Sequence, residues 1–142
     1  MSLSLEDARR LHDELLVFDL HADTPKLMHR LSYDIAARHE RRRPRQLSYA
    51  GHVDLPRMRE GGVAAQVFGL WTWPYPERGC ARSVRGQLDA LDVAIAAHPD
   101  EIAWCATGEE VRRAWRAGRV AAMAGIEGGQ AIEGSLDALG EF

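Results

Sequence analysis

Four short, strongly apolar runs recur along the chain, and the segments between them carry either helical spacing or turn chemistry. The first run lies in Leu15 to Pro25, LLVFDLHADTP, and reads as a strand. VAAQVFGLW (Val63 to Trp71) is almost wholly apolar, as a parallel strand covered on both faces should be, with Gln66 its one polar intrusion. Ile102 to Ala106 and Val120 to Ile126 supply a third and a fourth strand. Helices are expected between them. Ser4 caps Ser4 to His12, whose Leu5, Ala8 and Leu11, with Leu15 beyond, make one apolar face. Asp54 caps a short helix with a proline in its first turn and a Gly61-Gly62 stop. Ser83 to Ala97 has Val84, Leu88, Leu91 and Ile95 at helical spacing and ends at His98-Pro99. Thr107 and Glu110 form a capping box for a helix running to Gly118, and Ser135 caps a last helix. Lys26 to His52 is long and polar and reads as a loop above the first strand. The order α-β-α-β-α-β-α-β-α predicts an α/β fold with a parallel sheet.

Composition narrows the class. The 142 residues are 46% apolar and 27% charged, which describes one soluble domain with a real core. A formal charge of -3 argues against a nucleic-acid partner, and HERRRPR (His39 to Arg45) reads as a solvated loop face. Cys80 and Cys105 form no CxxC and are too few for a disulfide framework, so reduced thiols in a cytoplasmic protein are expected. The N-terminus carries charges throughout, unlike a signal peptide, and no apolar run approaches the roughly 18 residues of a membrane span. No membrane association is expected. The aromatics of WTWPYPERG suit a pocket lining and a barrel rim equally.

Three residues carry candidate chemistry. Alternation along the first strand puts Asp19, His21 and Asp23 on one face, with the Cα atoms of His21 and Asp23 about 6.6 Å apart. Glu127 stands where the fourth strand ends, before Gly128 and Gly129. All three fall at strand C-terminal ends, the edge where parallel α/β folds build their sites. A neutral imidazole and two carboxylates suit a divalent metal, and a glutamate can bridge two ions. Asp19 is expected one layer deeper, as a hydrogen-bond partner of the ligands. His12, His29, His39, His52 and His98 lack ligand spacing and are expected at the surface, His52 with a structural alternative.

FDLHADTP, HVDLPRMREGGVAAQVF and AGIEGGQAI, in this order, resemble the N-terminal half of the membrane (renal) dipeptidase family of zinc metallopeptidases. The three blocks bracket the chain from about Val17 to Ile132. The resemblance implies a (β/α)8 TIM-type barrel, of which this chain would supply about the first four β/α units as a single domain, residues 1–142. It implies dipeptides as substrates and a binuclear zinc centre whose bridging hydroxide attacks the peptide bond. His21 and Asp23 match the ligands of the first zinc, and Glu127 matches the carboxylate that bridges both. The family's two later histidine ligands to the second zinc, its carbonyl-polarising histidine, its substrate-binding arginine and its late aspartate have no counterpart here. Many relatives read EGGH where this chain reads Glu127-Gly128-Gly129-Gln130, so no role carries over to Gln130.

An eight-unit barrel takes about 250 residues, so this chain makes only half of one. Two further readings therefore stand beside the dipeptidase. One is a catalytically incompetent half-barrel fragment or assembly partner lacking the second-zinc histidines. The other is a mononuclear amidohydrolase-like enzyme, against which Asp23 counts, since HxH would more usually open the first strand. Homo-oligomerisation is left open, and no general acid or base is named.

Overall fold

The structure, a computed structural model, describes residues 4–39, 51–72 and 79–142. HERRRPR beyond His39 and the aromatics Trp73 and Tyr75 lie outside the described residues. Among the described residues, six helices and four parallel strands follow one another: α1 Leu5–Glu14, β1 Val17–Ala22, α2 Thr24–Leu31, α3 Leu55–Glu60, β2 Val63–Trp71, α4 Cys80–Ala97, β3 Ile102–Trp104, α5 Gly108–Arg116, β4 Val120–Glu127 and α6 Leu136–Glu141. A single 3-10 turn, Gly129–Ile132, links β4 to α6.

The sheet runs β1-β2-β4-β3, all parallel. The β2–β4 ladder is its spine, in register from Ala65↔Ala121 to Trp71↔Glu127. Alternation along these two strands separates two cores. Phe68, Val120 and Ala122 pack with Met28 of α2, Leu55 and Met58 of α3, and Leu91 and Ile95 of α4. Ala65 and Ala121 face the other way and pack with Val111 and Ala114 of α5. The change of face follows from strand order. The chain steps outward from β2 to β3 over α4 and returns inward to β4 over α5, and two right-handed crossovers of opposite direction put their helices on opposite faces.

Local sequence accounts for the elements. Ser4 and Thr107 each close a full capping box, with Asp7 and Glu110. The Asp54 carboxylate accepts from the Arg57 N–H, and Pro56 sits in the first turn of α3. Three features depart from expectation. Lys26 to Leu31, expected as the start of a loop, belongs to helix α2: Pro25 sets its first turn, and Pro25 and Met28 are buried three residues apart. The apolar face of α1 is not covered, and none of its residues is buried. Helix α4 begins at Cys80, three residues early, because Glu133 from the segment after β4 accepts from the Ala81 N–H at its open end.

Of the histidines expected at the surface, His12, His29 and His52 are exposed. His39 is half-buried and stacks on Tyr33, with ring centroids 4.0 Å apart. His98 is half-buried too, its Nδ1 3.4 Å from Glu101 Oε1.

Candidate metal centre

The site forms where β1, β2 and β4 end together. His21 is the fifth of six residues in β1. Asp23 lies just beyond the strand, as the residue that opens α2, and its side chain makes no cap bond to the helix. The carboxylate is thereby left to face His21, while the helix N-terminus favours its negative charge. Glu127 is the last residue of β4. His21 Nε2 lies 3.3 Å from Asp23 Oδ1 and 3.3 Å from Glu127 Oε2. One ligand atom from each of the three falls within 4.8 Å of the others, and among the described residues this is the one such group. All three are exposed, so an ion would reach them without opening the fold.

The strict alternation expected for the first strand is broken. Asp19 pairs with Gln66 and Ala22 with Phe68, so three steps on β1 match two on β2. A bulge of this kind interrupts the alternation between Asp19 and Ala22. The Asp19 carboxylate instead accepts from the backbone N–H of His21 at 2.9 Å, which braces the turn of chain that carries the imidazole.

The floor of the site is Gly69, a residue that the apolar pattern of β2 conceals. A Cβ there would stand 2.7 Å from His21 Cε1 and 2.8 Å from Asp23 Oδ1. Glycine inside a buried strand is the available sequence signal of such a close approach. Two residues on, Trp71 pairs with Glu127, and the Lys26 ammonium of α2 lies 3.1 Å above the Trp71 ring. Burial lowers the Lys26 pKa, and Arg30 adds to the effect, against an opposing pull from Asp23.

A model of the membrane dipeptidase family, peptidase family M19, matches residues 5–142. The chain belongs to the membrane dipeptidase family. Within this family, a dipeptidase of Aspergillus terreus (strain NIH 2624 / FGSC A1156), ataJ, is 30% identical over 99 residues, which cover 63% of this chain and 24% of that protein. The crystal structure of dipeptidase AC, a metallopeptidase of family M19, superposes with a TM-score of 0.71 at 27% identity, over 90% of this chain and 39% of the other. A metallopeptidase of Rhodobacter sphaeroides, solved with a phosphinate mimic of the dipeptide L-Ala-D-Ala, gives a TM-score of 0.69 at 24% identity, over 90% of this chain and 42% of that one. This membrane dipeptidase family chain thus spans well under half the length of these solved relatives. The fold class expected from the sequence holds: a parallel α/β sheet with helices, similar over 90% of the chain to a portion of a family M19 metallopeptidase, while the strand order β1-β2-β4-β3 departs from the consecutive order of four barrel units. Membrane dipeptidase family notwithstanding, no described helix is long and apolar enough to cross a membrane.

Proposed function

We propose that this chain is the metal-holding portion of a zinc-dependent dipeptidase that hydrolyses the peptide bond of dipeptides, and that His21, Asp23 and Glu127 are its zinc ligands. The convergence of these three side chains at one strand edge carries the reading. The donor set fits the ion. One imidazole nitrogen and two carboxylate oxygens are ordinary zinc ligands, and two negative charges offset a dication. Glycine at position 69 leaves room above the strand for the imidazole and carboxylate tips. When bound, zinc supplies a Lewis acid that polarises a carbonyl and lowers the pKa of water. The chain's own contribution is positional: Asp19 holds the backbone of His21, the start of α2 presents Asp23, and the end of β4 presents Glu127.

Family membership supports dipeptides as the substrate class, and the Rhodobacter sphaeroides structure carries a mimic of one. A cytoplasmic setting is the reading of Cys80 and Cys105 as buried free thiols. A second reading, a half-barrel that binds one metal weakly and catalyses nothing by itself, is favoured by the 39% coverage of dipeptidase AC and by the three-residue ligand set. Zinc titration of the purified chain, run beside an assay of dipeptide hydrolysis, separates the two. Zinc binding lost in Glu127→Ala is expected under both. Dipeptide turnover by the purified chain would exclude the second reading. Glu127→Ala that keeps wild-type zinc stoichiometry would refute the ligand assignment.

A further inference from the structure

Trp71↔Glu127 is the last rung of the β2–β4 ladder. The candidate ligand therefore hangs from the final residue of its strand, with sheet pairing on only one side of it. Gln130, in the 3-10 turn, folds back over this end. Its Nε2 donates to the carbonyl of Thr72, the residue after β2, and to the carbonyl of Glu127, each at 3.3 Å. From α4, the buried Gln87 donates through Nε2 to the Trp71 carbonyl at 3.0 Å. Glutamine amides thus take the carbonyls that close both strands. Gly128 makes the fold-back feasible: its φ is +91°, and a Cβ there would overlap the Gln130 amide.

We propose that Gln130 is a positioning residue for the candidate metal centre, clasping the ends of β2 and β4 so that the backbone bearing the Glu127 carboxylate is held in one orientation. The proposal rests on the reading of Glu127 as a metal ligand. The clasp acts on the Glu127 carbonyl itself. Its loss leaves the ladder up to Trp71↔Glu127 intact and frees only rotation at the end of β4. Gln130 is half-buried and outside the three hydrophobic clusters, so its removal opens no cavity in them.

The test uses the full 142-residue chain with Co2+ as a spectroscopic probe of the site. Gln130→Met keeps the length of the side chain and removes the donor. It is expected to weaken Co2+ binding by about tenfold and to shift the visible absorption of the bound ion, with an unchanged unfolding midpoint in the absence of metal. Gln130→Asn keeps a primary-amide N–H donor one methylene shorter and is expected to recover part of the affinity. Glu127→Gln is the control for the underlying reading. If Glu127→Gln weakens binding while Gln130→Met keeps the wild-type affinity and spectrum, the clasp is overturned and the ligand assignment stands. If the wild type binds no Co2+, or Glu127→Gln binds as the wild type does, the metal-centre reading fails and the clasp falls with it.

Discussion

At the scale of single residues, the site is decided as much by a missing side chain as by the three that converge. Gly69 lies beneath His21 and Asp23, and the tips of those side chains occupy the space a Cβ would take. Gly69→Val should push both tips aside and weaken zinc binding about 10- to 100-fold. A competition titration against a chromogenic chelator measures this, and wild-type affinity would show that the floor is not needed. The effect on folding should be smaller, since the displaced atoms are ends of flexible side chains. That His21, Asp23 and Glu127 come together was legible in the sequence because each follows or ends an apolar run, and strand ends gather at one edge of a parallel sheet. Gly69 and Gln130 were not. Their roles depend on which strands are neighbours, and a run such as VAAQVFGLW carries no record of its partners. The bulge between Asp19 and Ala22 was hidden for the same reason, since alternation shows a strand's own faces and not its register.

At the scale of elements, α3 shows how one capping residue can secure a much longer piece of chain. Asp54 is fully buried. Its carboxylate accepts from the N–H of Arg57 at 2.9 Å, from Arg57 Nε at 2.7 Å and from the N–H of His39 at 2.9 Å, so the helix cap also fixes the segment after α2. The Leu55 N–H donates to the Ile35 carbonyl at 2.8 Å and completes the attachment. Burial pushes the Asp54 carboxyl up, but the hydrogen bonds from His39 and Arg57 and the guanidinium charge outweigh it and hold it below its ordinary 3.8. A carboxyl depressed in the folded state adds stability that is fully present above its unfolded value and is lost as pH falls through the folded one. Asp54→Ala should cost about 2–4 kcal/mol at neutral pH, from the lost cap and the unpaired Arg57. Asp54→Asn keeps the cap and should cost less, and it should flatten the decline of stability below pH 4. Urea unfolding of both variants from pH 3 to pH 7 tests this, and an undiminished acid-side decline in Asp54→Asn would remove Asp54 as its source. The sequence announced this helix through Asp54 and Pro56, yet α2 escaped, because LHADTP reads as the end of a strand and Lys26 to Arg30 supply few apolar positions.

At the scale of the whole molecule, the described residues include exposed apolar groups. Leu5 and Leu11 of α1, Leu20 of β1 at 72% exposure, and Leu136 and Leu139 of α6 all face solvent. These exposed leucines offer apolar surface to a dye or to another chain. The purified chain should therefore bind a hydrophobic dye such as ANS at neutral pH while keeping the far-UV circular dichroism of an α/β fold. A dye-silent chain would mean that these side chains are covered in solution. Alternation of elements told the fold class in advance, but not that β4 would lie between β2 and β3, because strand order is settled by long-range pairing. That order also has a consequence in time. During synthesis β2 has one neighbour, β1, and its other edge waits for a strand that lies beyond α4, β3 and α5. At roughly 5–20 residues per second, the interval from Trp71 to Glu127 lasts about 3–11 s. For those seconds the nascent chain offers an unpaired apolar edge, and His21 and Asp23 can meet Glu127 only when it ends. A ribosome-associated chaperone that shields VAAQVFGLW would act within this window, and the three side chains of the proposed zinc site come together only after it.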